Sequence, residues 1–229
     1  MSNKYQVSIY ANQSQMRLQS RISYPSIANS PLAINGCKIY ILIIPEGKVL
    51  QYDIMQPRKP LSILYLPSLP SSHLRYNGIS ITDKFLSVSR SQIDGTQVLN
   101  FSASGKLETQ FFIPSQSIPY LHENTIWSKF NNTYKIYTID GILKSEIVFN
   151  SITSHYHTFD IGSKFLVRST FFNRFPTDYA TYIYSTKGEI IQEVQVKGTV
   201  AFGESEKLLY ICPSKGKREN ETFIYQLDE

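Results

Sequence analysis

The sequence repeats itself at an interval near 43 residues, and this period constrains the fold more than any other feature. Five segments share a pattern in which an apolar stretch, a short polar turn and a second alternating stretch follow one another: residues 6–25, 49–67, 98–114, 134–150 and 181–197. One aromatic residue anchors each segment, and a sixth anchor begins a copy without a second stretch: Tyr10, Tyr52, Phe101, Tyr137, Tyr184 and Tyr225. The period predicts a chain of similar supersecondary units.

Glycine recurs at one place in three of the segments. Gly105, Gly141 and Gly188 each lie four residues after their anchor. A hairpin turn often needs a residue with positive φ, which glycine adopts without steric cost. Each of these glycines is therefore predicted to close a β-hairpin.

A second pair of short apolar stretches precedes each hairpin. The first members are residues 31–36, 77–83, 119–124, 157–162 and 199–204. The second members are residues 37–44, 84–90, 125–130, 164–170 and 207–213. Turn-forming residues such as Asn35-Gly36 join the two members of a pair. Each unit is thus predicted to contain four short strands.

Four antiparallel strands at this period resemble the blades of β-propeller proteins, and the resemblance covers about residues 5–228. The stretches NFSASGKLETQFFI and IYSTKGEIIQEVQV are similar to blades of TolB-like, NHL-like or divergent WD40-like propellers. The Trp-Asp pair of WD40 repeats is missing, since the one tryptophan, Trp127, precedes Ser128. The resemblance thus names no subfamily, and a β-sandwich is the alternative architecture.

The strand count predicts an all-β single domain over residues 1–229, a β-propeller with five four-stranded blades. The blades are predicted at about 26–68, 69–117, 118–151 and 152–198, with the last formed by 199–229 together with 5–25. In this topology residues 17–25 supply the missing strand of the last blade, so the N- and C-terminal strands pair and close the ring. A sixth, incomplete blade or an unclosed ring is the alternative.

Composition excludes several classes of protein. Hydrophobic residues make up 41% and charged residues 18%, which is too apolar for a disordered chain. No apolar run approaches the roughly 20 residues of a membrane helix. Two cysteines, Cys37 and Cys212, exclude a disulfide framework, suit a reducing compartment and are predicted to be buried in second strands. Without an apolar export signal in its first 30 residues, the chain is predicted to be cytoplasmic or to lie in another reducing intracellular compartment.

The histidines suggest one metal site. His155 and His157 are two residues apart, Asp160 follows, and His122 has a comparable place one blade earlier. Imidazoles and a carboxylate that converge in the channel are suited to Zn²⁺ or another transition metal. The alternative is that His155 lies in an exposed connection and Asp160 serves a turn.

Other catalytic signals are weak. The inner carboxylates, Asp83, Glu123, Asp160 and Glu204, all lie beside turns, as turn propensity alone predicts. Glycoside hydrolysis needs two carboxylates facing each other, and no such pair is indicated. The sequence has no nucleophile elbow and no phosphate-binding glycine loop, so no cofactor is predicted.

Two loops are the predicted partner contacts. An aromatic loop carries Phe171, Phe172, Arg174, Phe175 and Tyr179, and the equivalent loop of the last blade carries Lys215, Lys217 and Arg218. Residues 91–95 occupy the same place in the second blade. Exposed aromatic patches mark interaction sites, and the net charge of +5 adds nucleic acid as a candidate partner through the basic loops.

These observations predict a non-catalytic protein–protein interaction module, a scaffold or adaptor subunit of a larger assembly, which includes the option of a ribonucleoprotein. The predicted partners are other proteins of that complex, with no membrane span and no cofactor. The alternatives are a small-ligand or carbohydrate-binding propeller and, third, a metal-dependent enzyme with its site in the channel. A fold alone does not decide among them.

Overall fold

The computed structural model describes residues 4–11, 17–25, 31–56, 58–68, 75–130, 133–149, 157–162, 164–170, 181–196, 198–202, 208–212 and 223–227. The chain divides into two compact units. The first is Met1–Phe130 with Lys135–Ser145, and the second is Asn131–Tyr134 with Glu146–Glu229. Apart from a single 3-10 turn at Ile44–Glu46, the regular structure of the described residues is all β.

The first unit begins with a hairpin and two four-stranded sheets. The hairpin joins β1 (Lys4–Ala11) to β2 (Arg17–Pro25). The first sheet contains β3 (Leu32–Asn35), β4 (Lys38–Ile43), β5 (Lys48–Asp53) and β6 (Ser62–Tyr65). The second sheet contains β7 (Arg75–Ile81), β8 (Phe85–Gln92), β9 (Gly95–Ser102) and β10 (Leu107–Ile113).

Three further sheets follow along the chain. The third contains β11 (Tyr120–His122), β12 (Thr125–Phe130), β13 (Thr133–Thr138) and β14 (Leu143–Val148). The fourth contains β15 (His157–Ile161), β16 (Phe165–Thr170), β17 (Thr181–Ser185) and β18 (Ile190–Val194). The fifth contains β19 (Thr199–Phe202), β20 (Leu208–Cys212) and β21 (Phe223–Gln226).

Within each of the five sheets, strands that are consecutive in the sequence are neighbours. The pairs in the described registers are antiparallel. Five small antiparallel meanders in sequence order are the blades of a five-bladed β-propeller, and the predicted fold class is confirmed.

Strands in the middle of a sheet are buried on both faces, which explains why their hydrophobic alternation is imperfect. In β4, Leu42 belongs to the core that joins the first two sheets. Ile39, Ile41 and Ile43, which alternate with it, belong to a separate cluster. Apolar residues at both alternation positions are expected where a sheet is covered on both sides.

The three predicted hairpin glycines have the predicted backbone. Gly105, Gly141 and Gly188 have φ of 82°, 91° and 88°. In each hairpin the glycine N–H donates to the carbonyl three residues earlier, as from Gly105 to Ser102 at 2.9 Å. The sequence prediction for these turns is confirmed.

The N-terminal segment forms the hairpin that the repeat at residues 6–25 indicated, and β2 pairs with β1 from Lys4↔Pro25 to Ala11↔Arg17. The C-terminal sheet has three described strands. The contribution of residues 17–25 to the last blade stays a prediction.

Cys37 departs from the prediction. It was expected to be buried in a second strand, but β3 ends at Asn35 and β4 begins at Lys38. Gly36 and Cys37 form the turn between them, and Cys37 is an exposed free thiol. Cys212 ends β20, and its side chain lies outside the described residues.

Candidate functional site

A cleft of about 690 Å³ lies between the first two sheets of the first unit. We call it the interblade cleft. Three turns form its walls: β3–β4 with residues 35–38, β7–β8 with residues 82–85, and β9–β10 with residues 102–105. β5 adds Val49, Gln51 and Asp53, and β6 adds residues 62–64. Every one of these segments belongs to the first unit, so one compact body forms the whole cleft.

The floor of the cleft is apolar and belongs to the core. Val49 and Leu86 are buried with exposed fractions of 2% and 7%, and both line the cleft. Leu64 and Ile81 also line it and pack against the same core cluster. Because this cluster joins the two sheets, the floor is held in place by the packing that holds the sheets together.

Hydrogen bonds fix the β3–β4 and β7–β8 turns at the rim. The Asn35 side-chain amide donates to Asp83 Oδ1 at 3.1 Å, which links the two turns across 48 residues of sequence. The Phe85 N–H donates to Thr82 Oγ1 at 3.3 Å, and the Thr82 N–H donates to the Phe85 carbonyl at 2.9 Å. The rim is therefore an ordered backbone surface.

The β9–β10 turn forms the third wall. The Ser102 hydroxyl accepts from the Lys106 N–H at 3.3 Å and pairs with the Ser104 hydroxyl at 2.9 Å. Gly105 lies against β6, where a Cβ on it would be 3.4 Å from Leu64 Cδ1. The turn of the second sheet is thus packed against the outer strand of the first.

The same hydroxyl feature recurs in two other sheets and was missed in the sequence. The Thr138 hydroxyl accepts from the Ile142 N–H at 3.0 Å, and the Ser185 hydroxyl accepts from the Glu189 N–H at 3.3 Å. Both residues, like Ser102, directly follow an anchor aromatic. The serine or threonine that directly follows each anchor aromatic could have predicted this hydrogen bond from the sequence.

Four charged residues line the cleft: Lys38, Lys84, Asp53 and Asp83. Both carboxylates already accept hydrogen bonds from the protein, Asp83 from Asn35 and Asp53 from the Met55 N–H at 2.7 Å. Within the described residues neither lysine has an ion-pair partner. The lining therefore has two lysines without an ion-pair partner and two carboxylates that keep their charge and each accept a hydrogen bond.

Tyr40 is a partly buried phenol in the cleft lining. Burial raises the pKa of its phenol above the ordinary value of 10.0, because desolvation disfavours the phenolate. The hydroxyl is therefore neutral at physiological pH. Cys37 adds an exposed thiol to the rim.

The predicted metal residues are only partly described. His122 is half-buried, its ring stands edge-on to Trp127 at 6.4 Å, and its carbonyl accepts from Thr125 Oγ1 at 2.8 Å. His157 and Asp160 lie in β15, but their side chains are outside the described residues, as is all of His155. The described part of the chain holds no group of three or more His, Cys, Asp or Glu side chains placed to bind a metal.

The predicted contact loops also lie outside the described residues. This applies to Phe171, Phe172, Arg174, Phe175, Tyr179, Lys215, Lys217 and Arg218. The described member of the predicted face, residues 91–95, is a tight turn at Ile93 and Asp94 between β8 and β9. Ile93 is 86% exposed there, and the Gln116 amide donates to its carbonyl at 2.7 Å.

Among the predicted turn carboxylates, the structure describes Asp83 and Glu123. Both are exposed and lie in the turn between the first two strands of their sheets. Glu123 has a positive φ of 51°. Glu204 lies outside the described residues. No helix in the described part of the chain is long and apolar enough to cross a membrane.

Comparisons with known proteins identify the fold. No known protein family matches the sequence, and no curated protein matches it. Solved structures do match. A Bacteroides caccae protein of unknown function has a TM-score of 0.59 at 10% identity, over 98% of this chain and 90% of that one. Hsv2 from Kluyveromyces marxianus has a TM-score of 0.57 at 11% identity, over 96% and 69%.

A third similar structure is a Bacteroides fragilis protein that carries a provisional 6-phosphogluconolactonase assignment. Its TM-score is 0.57 at 17% identity, over 97% of this chain and 73% of that one. At these identities the likeness shows the β-propeller fold and nothing of function.

Proposed function

We propose that this β-propeller is a non-catalytic protein–protein interaction module, a scaffold or adaptor subunit that binds a segment of a partner protein in the interblade cleft. The observation that supports the proposal is the make-up of the cleft. It combines an apolar floor, a hydrogen-bonded rim and lysines without ion-pair partners in one compact body. Apolar centres with polar rims are the usual anatomy of protein interfaces.

Apolar surface continues beyond the cleft, which favours a protein segment over a small molecule. Ile63 lines the cleft and is 44% exposed, and Tyr65, two residues along the same strand, is 72% exposed. The adjoining β5–β6 loop exposes Met55 and Leu61. A bound segment several residues long would cover this surface, whereas a small molecule would leave it in water.

The cleft also supports a second candidate, a small-ligand-binding propeller. Its volume of about 690 Å³ lies within the range of roughly 300–1,000 Å³ that small-molecule sites occupy. A thermal-shift screen of sugars and common metabolites tests this candidate. A saturable shift that Ala103→Trp abolishes would favour the small ligand over the protein segment.

The main test is selection of peptides from an unbiased twelve-residue phage library on the full chain. Ala103 is exposed, lines the cleft and makes no side-chain hydrogen bond, so Ala103→Trp blocks the cleft without removing a contact. Thr186 occupies the matching position in the β17–β18 turn of the fourth sheet, so Thr186→Trp is the matched control.

We expect selected peptides to bind Ala103→Trp at least about tenfold more weakly than wild type, because losing one buried contact site costs on the order of 1.4 kcal/mol or more. They should bind Thr186→Trp as they bind wild type. Equal binding to both variants would contradict the proposed site. A triple change of Phe171, Phe172 and Phe175 to Ser, measured with the same peptides and in pull-downs, tests the predicted aromatic loop separately.

A further inference from the structure

The charges of the interblade cleft are unevenly satisfied. Asp83 Oδ1 accepts from Asn35 at 3.1 Å, and Asp53 Oδ1 accepts from the Met55 N–H at 2.7 Å. Lys38 and Lys84 have no acidic partner within the described residues, although two other lysines of the same unit do. The carboxylates keep their negative charge but each already accepts a hydrogen bond from the protein, whereas neither ammonium group is paired with a carboxylate among the described residues.

Two more cations lie in the loop that joins two strands of the cleft lining. Arg58 and Lys59 are exposed in the loop that joins β5 to β6, and both of these strands line the cleft. Neither has an ion-pair partner among the described residues. With Lys38 and Lys84 they make four cations against the two carboxylates of the lining, and this excess of positive charge favours an anionic partner.

We propose that the cleft recognises an acidic peptide segment, whose carboxylates pair with Lys38 and Lys84 while an apolar side chain of the segment covers Ile63 and Leu64. This inference rests on the proposed function, since it names the partner of the same site. The β5–β6 loop extends the acidic recognition through Arg58 and Lys59.

The lining favours an acidic peptide over a nucleic acid. Proteins that bind single strands stack bases on exposed aromatic side chains, whereas the aromatic residues that line this cleft, Tyr40 and Phe85, are half-buried. The exposed Tyr65 lies outside the lining. Asp53 and Asp83 would also repel a phosphate backbone, whose charges are closely and regularly spaced. A peptide can place its carboxylates at the lysines and its neutral residues beside the aspartates.

The test uses the peptides selected on the full chain and measures their affinity by fluorescence anisotropy. Each peptide is compared with a version in which every Asp and Glu is replaced by Asn and Gln. Binding is measured to wild type, to Lys38→Ala/Lys84→Ala, and to the control Lys144→Ala/Lys187→Ala, whose lysines are exposed but do not line the cleft. A poly-dT oligonucleotide serves as the competing polyanion.

We expect acidic peptides to be enriched, their amide versions to bind more weakly, and Lys38→Ala/Lys84→Ala to weaken the acidic peptides by about two- to thirtyfold, as two exposed ion pairs imply. The control pair should change affinity by less than about twofold. Higher salt should remove most of the difference, because ions screen exposed charges. Protection of Cys37 from alkylation, read by peptide mass spectrometry, places the bound peptide in the cleft.

The outcomes separate the inference from the function on which it rests. Selected peptides that lose binding in Ala103→Trp but carry no net negative charge would overturn the acidic partner and leave the interaction module standing. Peptides insensitive to Ala103→Trp would overturn both. Displacement of the acidic peptides by poly-dT at comparable affinity would overturn the peptide assignment in favour of nucleic acid.

Discussion

Replacing Gly141 by alanine tests how the sheets are spaced. Gly141 has φ of 91°, and a Cβ on it would lie 2.5 Å from Phe111 Cγ and 2.7 Å from Phe111 Cβ. These atoms are next to the backbone of β10, so rotation of the ring cannot clear them. Gly36 is the matched control, because it also lies in a turn, has φ of 54° and has open space where its Cβ would be.

The two substitutions share one cost and differ in the other. Left-handed backbone costs an L-residue about 1–2 kcal/mol, and lower entropy of the unfolded chain returns about 0.4–1 kcal/mol. Gly36→Ala should therefore cost about 1 kcal/mol. Gly141→Ala adds overpacking of about 1–3 kcal/mol, so the total is about 2–4 kcal/mol and the melting temperature falls by about 4–16 °C.

Urea unfolding followed by fluorescence of the buried Trp127 measures both variants. The double variant Gly141→Ala/Phe111→Ala supplies the cross-check. The second change removes Phe111 Cγ but leaves Cβ, so it relieves part of the clash with the alanine. The double variant should therefore lose about 1 kcal/mol less unfolding free energy than the sum of the two single variants. A loss in Gly36→Ala as large as in Gly141→Ala would refute the reasoning, since the steric contact with Phe111 would then play no part.

Two further perturbations address the rest of the core. Phe149 is 1% exposed, and its ring meets those of Tyr134 and Tyr184 edge-on, with ring centroids 5.3 and 4.7 Å apart. Phe149→Ala should therefore lower the free energy of unfolding, measured in urea, by about 3–5 kcal/mol. A loss below about 1 kcal/mol would contradict this packing. Burial raises the pKa of Tyr76 above 10.0, against the weaker lowering effect of Arg90, so the phenol stays protonated in the folded protein after it ionises in the unfolded chain. The free energy of unfolding should stay constant below about pH 9 and decrease above about pH 10. Tyr76→Phe should make this decrease smaller. An unchanged dependence of the unfolding free energy on alkaline pH in that variant would exclude Tyr76 as the cause of the decrease.

The repeat made the strands and turns predictable. Anchor spacing located each hairpin, and Gly105, Gly141 and Gly188 have the positive φ that their positions required. Local sequence carries this information because the turn, the alternation and the glycine all lie within one unit. The position of Cys37 was predicted wrongly because the sequence does not fix where a strand begins. β4 begins one residue later than predicted, at Lys38, and this places Cys37 in the turn instead of in a buried strand.

The interblade cleft could not be predicted in this way. Its rim depends on the hydrogen bond between Asn35 and Asp83, which lies in the next sheet and 48 residues away. Both look like ordinary turn residues in the sequence, and nothing in either unit specifies their distance. The N-terminal pairing was ambiguous for a related reason: residues 17–25 have the alternation of a strand, and alternation alone does not choose the partner strand.

The turn glycines have a consequence for how such a chain can grow. Gly105 abuts Leu64, Gly141 abuts Phe111 and Gly188 abuts Ile147, and each of these partners lies on the outer strand of the preceding sheet. In the third and fourth sheets the missing side chain allows this close approach, because a Cβ on Gly141 or Gly188 would lie 2.5 Å from Phe111 or 2.7 Å from Ile147, whereas at Gly105 the distance of 3.4 Å is an ordinary contact. Tandem duplication of the third or fourth repeat in the gene would copy this glycine together with the strands. The duplicated repeat would then fit against its neighbour at once, without a compensating substitution.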